Sequence, residues 1–347
     1  MQSETSLPTF KPLMDMLIGP VHMAVLDTVI SLDLPDHIEK NGNPEELALQ
    51  MHLDKDNLIY LLDAATAAGL MEKKTGSYAN TPLSRSFLLR SSPTYLGEML
   101  ISLKQLQHRN LHRLTELVRS GRPELPPDKK LKDPEHWKRS ARYLANYHRA
   151  GAADILADIV DELPGVENMH RMLDLGSGPG VIGLEILSRT PHMQGVLFDL
   201  PAVADVAREE IGKASMERRV EVIGGNYNDT SFGQGYNLVL SSLNLYYARN
   251  LTDFLKRVRQ AMEPNGVFIS FHEGLTHGRT RPSRTVLSRL SLVMEGQDMS
   301  FNQGEIADAL LNAGFSRVHS RTIETPMGTF ELDIAFRGAD QGQRMEA

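Results

Sequence analysis

The sequence predicts an α/β protein, with a doubly wound, mostly parallel sheet that carries an antiparallel edge, behind a mostly helical N-terminal domain. Three observations predict it. A strand, a glycine-rich turn, a helix and a second strand follow one another from Met172 to Asp199. Strands and helices keep alternating from Val220 to Phe336, and residues 1–100 instead hold a helix pair closed by a short hairpin.

Residues 171–183 read Arg-Met-Leu-Asp-Leu-Gly-Ser-Gly-Pro-Gly-Val-Ile-Gly, an apolar strand running through a loop into a helix. Gly176, Gly178 and Gly180 let the backbone turn sharply and let a ligand approach where a Cβ would collide, and the helix behind them offers free N–H groups. A nucleoside cofactor suits such a loop. Dinucleotide folds show G-x-G-x-x-G with a pyrophosphate on the helix end, whereas this chain shows G-x-G-x-G. Asp174, just before the first glycine, would repel a pyrophosphate but attract an ammonium group, directly or through water. S-adenosylmethionine carries that group and no phosphate. The next strand, Gly195-Val-Leu-Phe-Asp199, ends in a carboxylate placed to accept both ribose hydroxyl protons, with Leu200 and Pro201 following.

The remaining elements are read in the same way. Val220–Ile223 is a strand leading into Gly224-Gly-Asn-Tyr-Asn228, and the apolar run Tyr236–Ser242 suits a buried parallel strand. Leu251–Met262 is an amphipathic helix closed by Glu263-Pro-Asn-Gly266, and Val267–Phe271 is the next strand. Gly304–Ala313 is a helix stopped by Gly314, while Arg317–Thr322 and Thr329–Phe336 pair as a late hairpin.

With these motifs the chain resembles the class I S-adenosylmethionine-dependent methyltransferases, and among them the caffeate-O-methyltransferase-like group, whose Rossmann-like domain follows a winged-helix dimerisation domain. Leu173-Asp-Leu-Gly-Ser-Gly-Pro-Gly180 is similar to the family's first motif and Phe198-Asp-Leu-Pro201 to its second. Gly225-Asn-Tyr-Asn228 stands where members carry Gly-Asp-Met-Phe. The resemblance implies S-adenosylmethionine as cofactor, held by Asp174, Gly176, Gly178, Gly180, Asp199, Leu200 and Ser241, with Asn226 and Tyr227 bordering the adenine. An amide at Asn226 still bonds a purine edge.

Length and composition agree. The 347 residues exceed one ordinary domain, and 41% apolar content is enough for two packed cores. The expected division is a winged-helix domain over 1–100, a helical bridge over 101–160, a cofactor-binding domain over 161–338 and a disordered tail over 339–347. No apolar run of 18 residues and no basic stretch before an apolar core are evident, so neither a membrane span nor a signal peptide is expected, and the cytoplasm is the expected location. The absence of cysteine excludes disulfides, thiolate metal sites and cysteine nucleophiles.

In the N-terminal domain, Glu45–Leu53 and Lys55–Gly69 read as the helix pair, and Leu70–Asn80 as two strands about a Thr75-Gly76 turn. A winged helix suggests a DNA-binding regulator. Residues 1–100 hold 7 Lys/Arg against 13 Asp/Glu, however, the opposite of a phosphate-binding face, so no nucleic-acid partner is expected. Leu13–Ile30, apolar with Met14, Met16 and Met23, is expected to pack against a second subunit, giving a homodimer.

Gly121–Lys130 reads as a solvated loop, and Trp137–Val160 as one long helix bridging into the cofactor-binding domain. Tyr143, Tyr147 and His148 lie on it, where relatives place part of the acceptor pocket. His108 and His112 have the i, i+4 spacing of metal ligands, but no third ligand is near and Arg109 and Arg113 would repel a cation, so no metal is expected.

Acceptor chemistry is where the chain departs from its relatives. O-methylating members carry a His-Asp pair after the strand that ends here at Ser242, and this chain reads Leu-Asn-Leu-Tyr-Tyr-Ala248 instead. Leu245 or Tyr246 takes the histidine's place, Tyr246 being preferred. A phenol of ordinary pKa about 10 is a poor base at neutral pH. His272, at the C-terminal end of a buried strand, is then the candidate base, with Glu273 to orient it, although neighbours on a strand face opposite sides. Arg289 and Met294 are candidates for acceptor contact. Three readings stay open: a methyltransferase for a small aromatic or cyclic acceptor; a carbon or soft-heteroatom methyltransferase or a non-methylating enzyme of the same fold, favoured by the missing pair; and a winged-helix regulator.

Overall fold

The computed structural model describes residues 9–122 and 133–339. The expected loop 121–130 lies outside them from residue 123, and the expected tail 339–347 from residue 340. The chain divides into two compact units, Met1–Ile101 and Ser102–Ala347.

The first unit begins with α1 (Lys11–Ser31) and continues through α2 (Leu34–Lys40), α3 (Pro44–Met51) and α4 (Lys55–Ala67) to β1 (Met71–Lys74) and β2 (Ser77–Asn80), ending with α5 (Pro82–Phe87) and the start of α6 (Gly97–His108). Local chemistry sets the helix starts. Asn43 Oδ1 accepts from the Glu45 and Glu46 N–H groups at 2.9 and 3.2 Å, and Asp54 Oδ1 from the Asn57 N–H at 2.9 Å. Val29, Leu34, Leu47, Leu62 and Met71 form the core. The order helix, helix, hairpin is compatible with a winged helix. The outer face of α1 remains bare, with Leu13, Met16 and Leu17 more than 60% exposed. By length and composition alone this 21-residue helix is apolar enough to cross a membrane, which corrects the reading that no apolar run of that length is present.

The second unit carries α7 (Leu114–Ser120), α8 (Pro134–Tyr147), a π-turn (His148–Ala152) and α9 (Ala153–Asp161) ahead of β3 (Arg171–Leu175). The long helix expected over 137–160 is therefore broken. Gly151, at φ +145°, takes a conformation that side-chain-bearing residues avoid, and the chain re-aims there. His108 ends α6 while His112 lies in a separate 3-10 turn, so the two do not share a helix.

After β3 come α10 (Val181–Arg189), β4 (Gln194–Asp199), α11 (Pro201–Ala214), β5 (Val220–Gly224), β6 (Tyr236–Ser242), α12 (Leu251–Ala261) and β7 (Met262–His272). The turn expected over 263–266 is part of β7, whose register against β6 shifts between Tyr236 and Leu238. The short β8 (Gly274–Leu275), α13 (Ser283–Met294), β9 (Phe301–Asn302), α14 (Glu305–Asn312), β10 (Arg317–Thr325) and β11 (Gly328–Phe336) complete the unit. Seven strands form one sheet in the order β10-β11-β7-β6-β3-β4-β5. Strands β5, β4, β3, β6 and β7 run parallel, while β10 and β11 are antiparallel. Alternate residues feed two cores: Met172 and Leu240 pack with α9 and α10, and Leu173 and Val239 with α12 and α14. Helix α8 docks on α11 through Ala141 against Val203 and Val206, and through Arg142–Glu209 at 3.0 Å.

Candidate active site

The strand order reverses at β3, between β4 on one side and β6 on the other, and the glycine loop leaves β3 at its C-terminal end. This is where doubly wound sheets bind ligands. Gly176, Gly178 and Gly180 have φ of +69°, +59° and +81°. The Gly176 and Ser177 N–H groups both donate to the Phe198 carbonyl, at 2.8 and 3.0 Å, which folds the loop back over β4. A Cβ at Gly180 would lie 2.4 Å from Leu197 Cδ1, and one at Gly176 2.3 Å from Asn244 Nδ2, so glycine is required at both.

Asp199 closes the loop from the end of β4. Its Oδ2 accepts from the Gly178 N–H at 2.7 Å and its Oδ1 from the Leu200 N–H at 2.6 Å. Burial pushes its pKa up to about 6, against the pull of those two N–H groups. Asp174 is buried beneath the loop, and its pKa is pushed up to about 7 by burial and then by the Asp199 charge, with the Gly183 N–H opposing. Its Oδ2 has no hydrogen-bond partner. A Cβ at Gly183 would come within 2.8 Å of that oxygen, so the first turn of α10 leaves the space the carboxyl fills.

The loop after β5 sits on the other side of Asp199, whose carbonyl accepts from the Gly225 N–H at 2.8 Å. Asn226 is exposed, and its Oδ1 accepts from the Asn228 backbone and side-chain N–H groups. The Tyr227 ring lies against Phe254, centroids 4.5 Å apart, and its hydroxyl donates to the Asn244 carbonyl at 2.7 Å.

Asn244 is the residue that sequence reasoning missed. Its Nδ2 donates to the Leu175 carbonyl, tying the loop after β6 to the end of β3, and its Oδ1 accepts from Ser241 Oγ at 2.6 Å. Ser241 therefore serves Asn244 from a fully buried position. A polar Ser-Ser-Leu-Asn end to an apolar strand was the available signal. Leu243 just before it holds φ +54°, a strained conformation for a leucine.

His272 fixes the same loop, and this corrects its expected role as base. Its Nε2 accepts the Asn244 and Leu245 N–H groups at 3.0 and 3.1 Å, which places the ring proton on Nδ1, facing Ser270 Oγ at 3.1 Å. No lone pair is left for an acceptor proton. Burial, then the Arg289 charge, hold its pKa down to about 3. Glu273, expected to orient it, instead pairs with Arg289 of α13. Tyr246 is also unsuited to take a proton, since burial pushes its phenol well above the usual range. Leu245, the other occupant of the expected base position, is buried in the core.

Around Tyr246 the structure gathers an aromatic and cationic cluster. Tyr247 and Phe301 lie 4.6 and 6.5 Å from its ring, and the Arg289 guanidinium lies 5.9 Å from its centroid. Arg289 also donates to the Met299 carbonyl at 2.5 Å, and Met294 closes the same helix, half-buried. The bridging residues separate. The Tyr143 hydroxyl is bound to Ser102 and Ser140, each at 2.9 Å, whereas Tyr147 and His148 lie at the π-turn. His148 reaches the glycine loop, its Cε1 being 3.8 Å from where a Gly178 Cβ would stand.

The loop, the buried Asp174 carboxyl, the partly buried Asp199 carboxyl and the strand ends around them fit an adenosyl amino acid. Residues 112–316, more than half of the chain, match the O-methyltransferase domain family, and residues 14–90 the O-methyltransferase dimerisation domain. The 3-hydroxy-5-methyl-1-naphthoate 3-O-methyltransferase of Streptomyces sahachiroi is 26% identical over 293 residues, covering 82% of this chain and 83% of its own. An N,N-dimethyltransferase of Streptomyces rimosus is 26% identical over 280 residues, covering 77% of this chain and 79% of its own. Human N-acetylserotonin methyltransferase, solved with S-adenosylmethionine, superposes with a TM-score of 0.79 at 19% identity, over 97% of this chain and 100% of that one. A reversed strand order, a glycine loop closed by Asp199 and a match over both domains place this chain in the O-methyltransferase family, as an S-adenosylmethionine-dependent methyltransferase.

Proposed function

We propose that the chain methylates a small aromatic or cyclic acceptor at a heteroatom acidic enough to shed its proton without a side-chain base, working as a cytoplasmic homodimer. The loop after β6 carries this reading, because His272 spends both ring nitrogens on the fold and Leu245 points into the core. The naphthoate and acetylserotonin substrates in the relatives' names support an aromatic acceptor. The bare apolar face of α1 and the match to a dimerisation domain support the homodimer, and they account for that helix without a membrane.

When bound, the cofactor supplies an electrophilic methyl group on a sulfonium. The chain's residues hold and orient. Asp199 uses one lone pair of each oxygen on the loop, leaving others for the ribose hydroxyls. Asn226 and Tyr227 would border the adenine, Leu200 and Ser241 would support the two strand ends, and Asp174 would take the ammonium. On the acceptor side, Tyr246, Tyr147 and Met294 line the pocket, and the partly buried Arg289 favours an acceptor oxygen in its anionic form. Catalysis is then mainly positioning. The acidic first unit argues against the regulator reading.

A second reading, transfer to nitrogen, is supported by the relative named an N,N-dimethyltransferase. A neutral amine already offers its lone pair and needs no base. Incubation with methyl-labelled S-adenosylmethionine and a panel of hydroxynaphthoates, N-acetylserotonin and aromatic amines tests both. Label on a phenolic oxygen is expected, label on nitrogen selects the second reading, and bound cofactor without transfer to any member refutes both.

A further inference from the structure

One face of the large sheet carries an apolar row beside a polar one. Val318, Ala335, Phe268 and Val239 stand opposite one another across β10, β11, β7 and β6, against the α12 and α14 core. One row nearer the C-terminal ends of β6 and β7, on the same face, stand Ser320, Asp333, Ser270 and Ser241, the last three fully buried. A carboxyl inside a sheet needs partners. Ser320 Oγ donates to Asp333 Oδ1, yet the buried Asp333 Oδ2 has no hydrogen-bond partner.

Following the protons along the row locates the missing bond. His272 Nε2 accepts the Asn244 and Leu245 N–H groups, so the ring proton sits on Nδ1 and goes to Ser270 Oγ at 3.1 Å. Ser270 then keeps a proton of its own to give. Two residues opposite it can take that proton, Asp333 on β11 and Ser241 on β6. Ser241 is a neutral hydroxyl already engaged with Asn244 Oδ1, and a hydrogen bond to a carboxylate is the stronger one. Residues directly opposite in an antiparallel pair hold their Cβ atoms about 5 Å apart, within reach of a turned hydroxyl. We propose that Asp333 is a positioning residue, which takes the Ser270 proton and, through Ser270 and His272, holds the loop after β6 where Asn244 ties the glycine loop.

That loop needs holding. Leu243 keeps φ at +54°, and the Asn244 side chain that reaches the Leu175 carbonyl belongs to the residue whose N–H the ring receives. Glu331, directly opposite His272, is engaged elsewhere: its Oε1 accepts the Gly304 N–H at 2.8 Å, and a Cβ at Gly274 would lie 2.5 Å from its Oε2. Burial raises the Asp333 pKa while the Ser320 bond opposes the rise, and a second donor from Ser270 favours the carboxylate further.

The test is amide hydrogen exchange of the full chain, resolved at Asn244 and Leu245, alongside calorimetric titration with S-adenosylhomocysteine. Asp333→Asn and Ser270→Ala are each expected to speed exchange at those two amides about tenfold, with a parallel loss of S-adenosylhomocysteine affinity and unchanged exchange along β7. The double variant is expected to be no worse than either single one, because both break the same chain of bonds. Ser270→Thr, which keeps the hydroxyl, recovers slow exchange. Asp333→Val, suited to a strand interior, carries the same expectation where Asp333→Asn does not fold. Additive effects overturn the proposal, as does faster exchange spread over the whole sheet, which would leave Asp333 a role in stability alone. An effect of Ser270→Ala without one of the Asp333 variants gives the proton to Ser241 and overturns it too. Wild type that binds no S-adenosylhomocysteine fails the cofactor reading instead, and the exchange pattern still decides the role of Asp333.

Discussion

Asp174 and Asp199 lie under and beside one loop, and burial raises both pKa values, to about 7 and about 6. A carboxyl whose folded pKa is raised holds its proton in the empty protein up to that pH. If cofactor binding requires both as carboxylates, binding releases protons below about pH 7, and affinity for S-adenosylhomocysteine falls as pH drops from 8 to 5.5. Titration calorimetry across that range checks this, and Asp174→Asn is expected to flatten the upper part of the profile. Asp199→Ala removes the anchor of the Gly178 N–H together with the proposed ribose acceptor. It is expected to cost about 3 kcal/mol of cofactor affinity, roughly a hundredfold, with little change in acceptor KM. A loss below threefold would contradict the role given to Asp199. The positions of these two acids were legible in the sequence, because Asp174 stands near the end of β3 just before the glycine loop and Asp199 is the last residue of β4. His272 was not, since the two N–H groups that occupy it come from Asn244 and Leu245, twenty-eight and twenty-seven residues away.

At the scale of elements, the loop after β6 and the glycine loop form one unit through the Asn244 bond to the Leu175 carbonyl. Gly176→Ala would place a methyl 2.3 Å from Asn244 Nδ2 in a backbone at φ +69°, so both strain and collision act. A destabilisation of about 2–4 kcal/mol is expected, read as a drop in the midpoint of chemical unfolding together with weakened cofactor binding. Gly151→Ala separates the two effects, because no atom lies within 4 Å of its added carbon and only the strain at φ +145° remains. About 1–2 kcal/mol is expected there, and a neutral substitution would show that the π-turn is not held at Gly151. The strands and α12 were legible from periodicity, since residues such as Val239 and Phe268 face packed cores. The break between α8 and α9 was not, because apolar spacing continues across it and only Gly151 marks the change.

Across the chain, fold class followed from the alternation of elements, and the mostly helical first unit from the helix pair read over 45–69 with the Thr75-Gly76 turn. Apolar spacing alone did not say what the outer face of α1 meets. Light scattering of the full chain is expected to give the mass of two copies, and Leu17→Glu with Met16→Glu, both on exposed positions, is expected to shift it to one. A monomeric wild type would remove the homodimer. Methyl transfer here is proposed to run without a side-chain base, because His272 Nε2 is occupied by the Asn244 and Leu245 N–H groups. The most direct test is the pH dependence of kcat for labelled-methyl transfer to two hydroxynaphthoates whose phenol pKa values differ through fluorination. An inflection that moves with the phenol's own pKa is the expected result. An inflection at one fixed pH for both acceptors, abolished by substituting a single titratable residue of the protein, would contradict it.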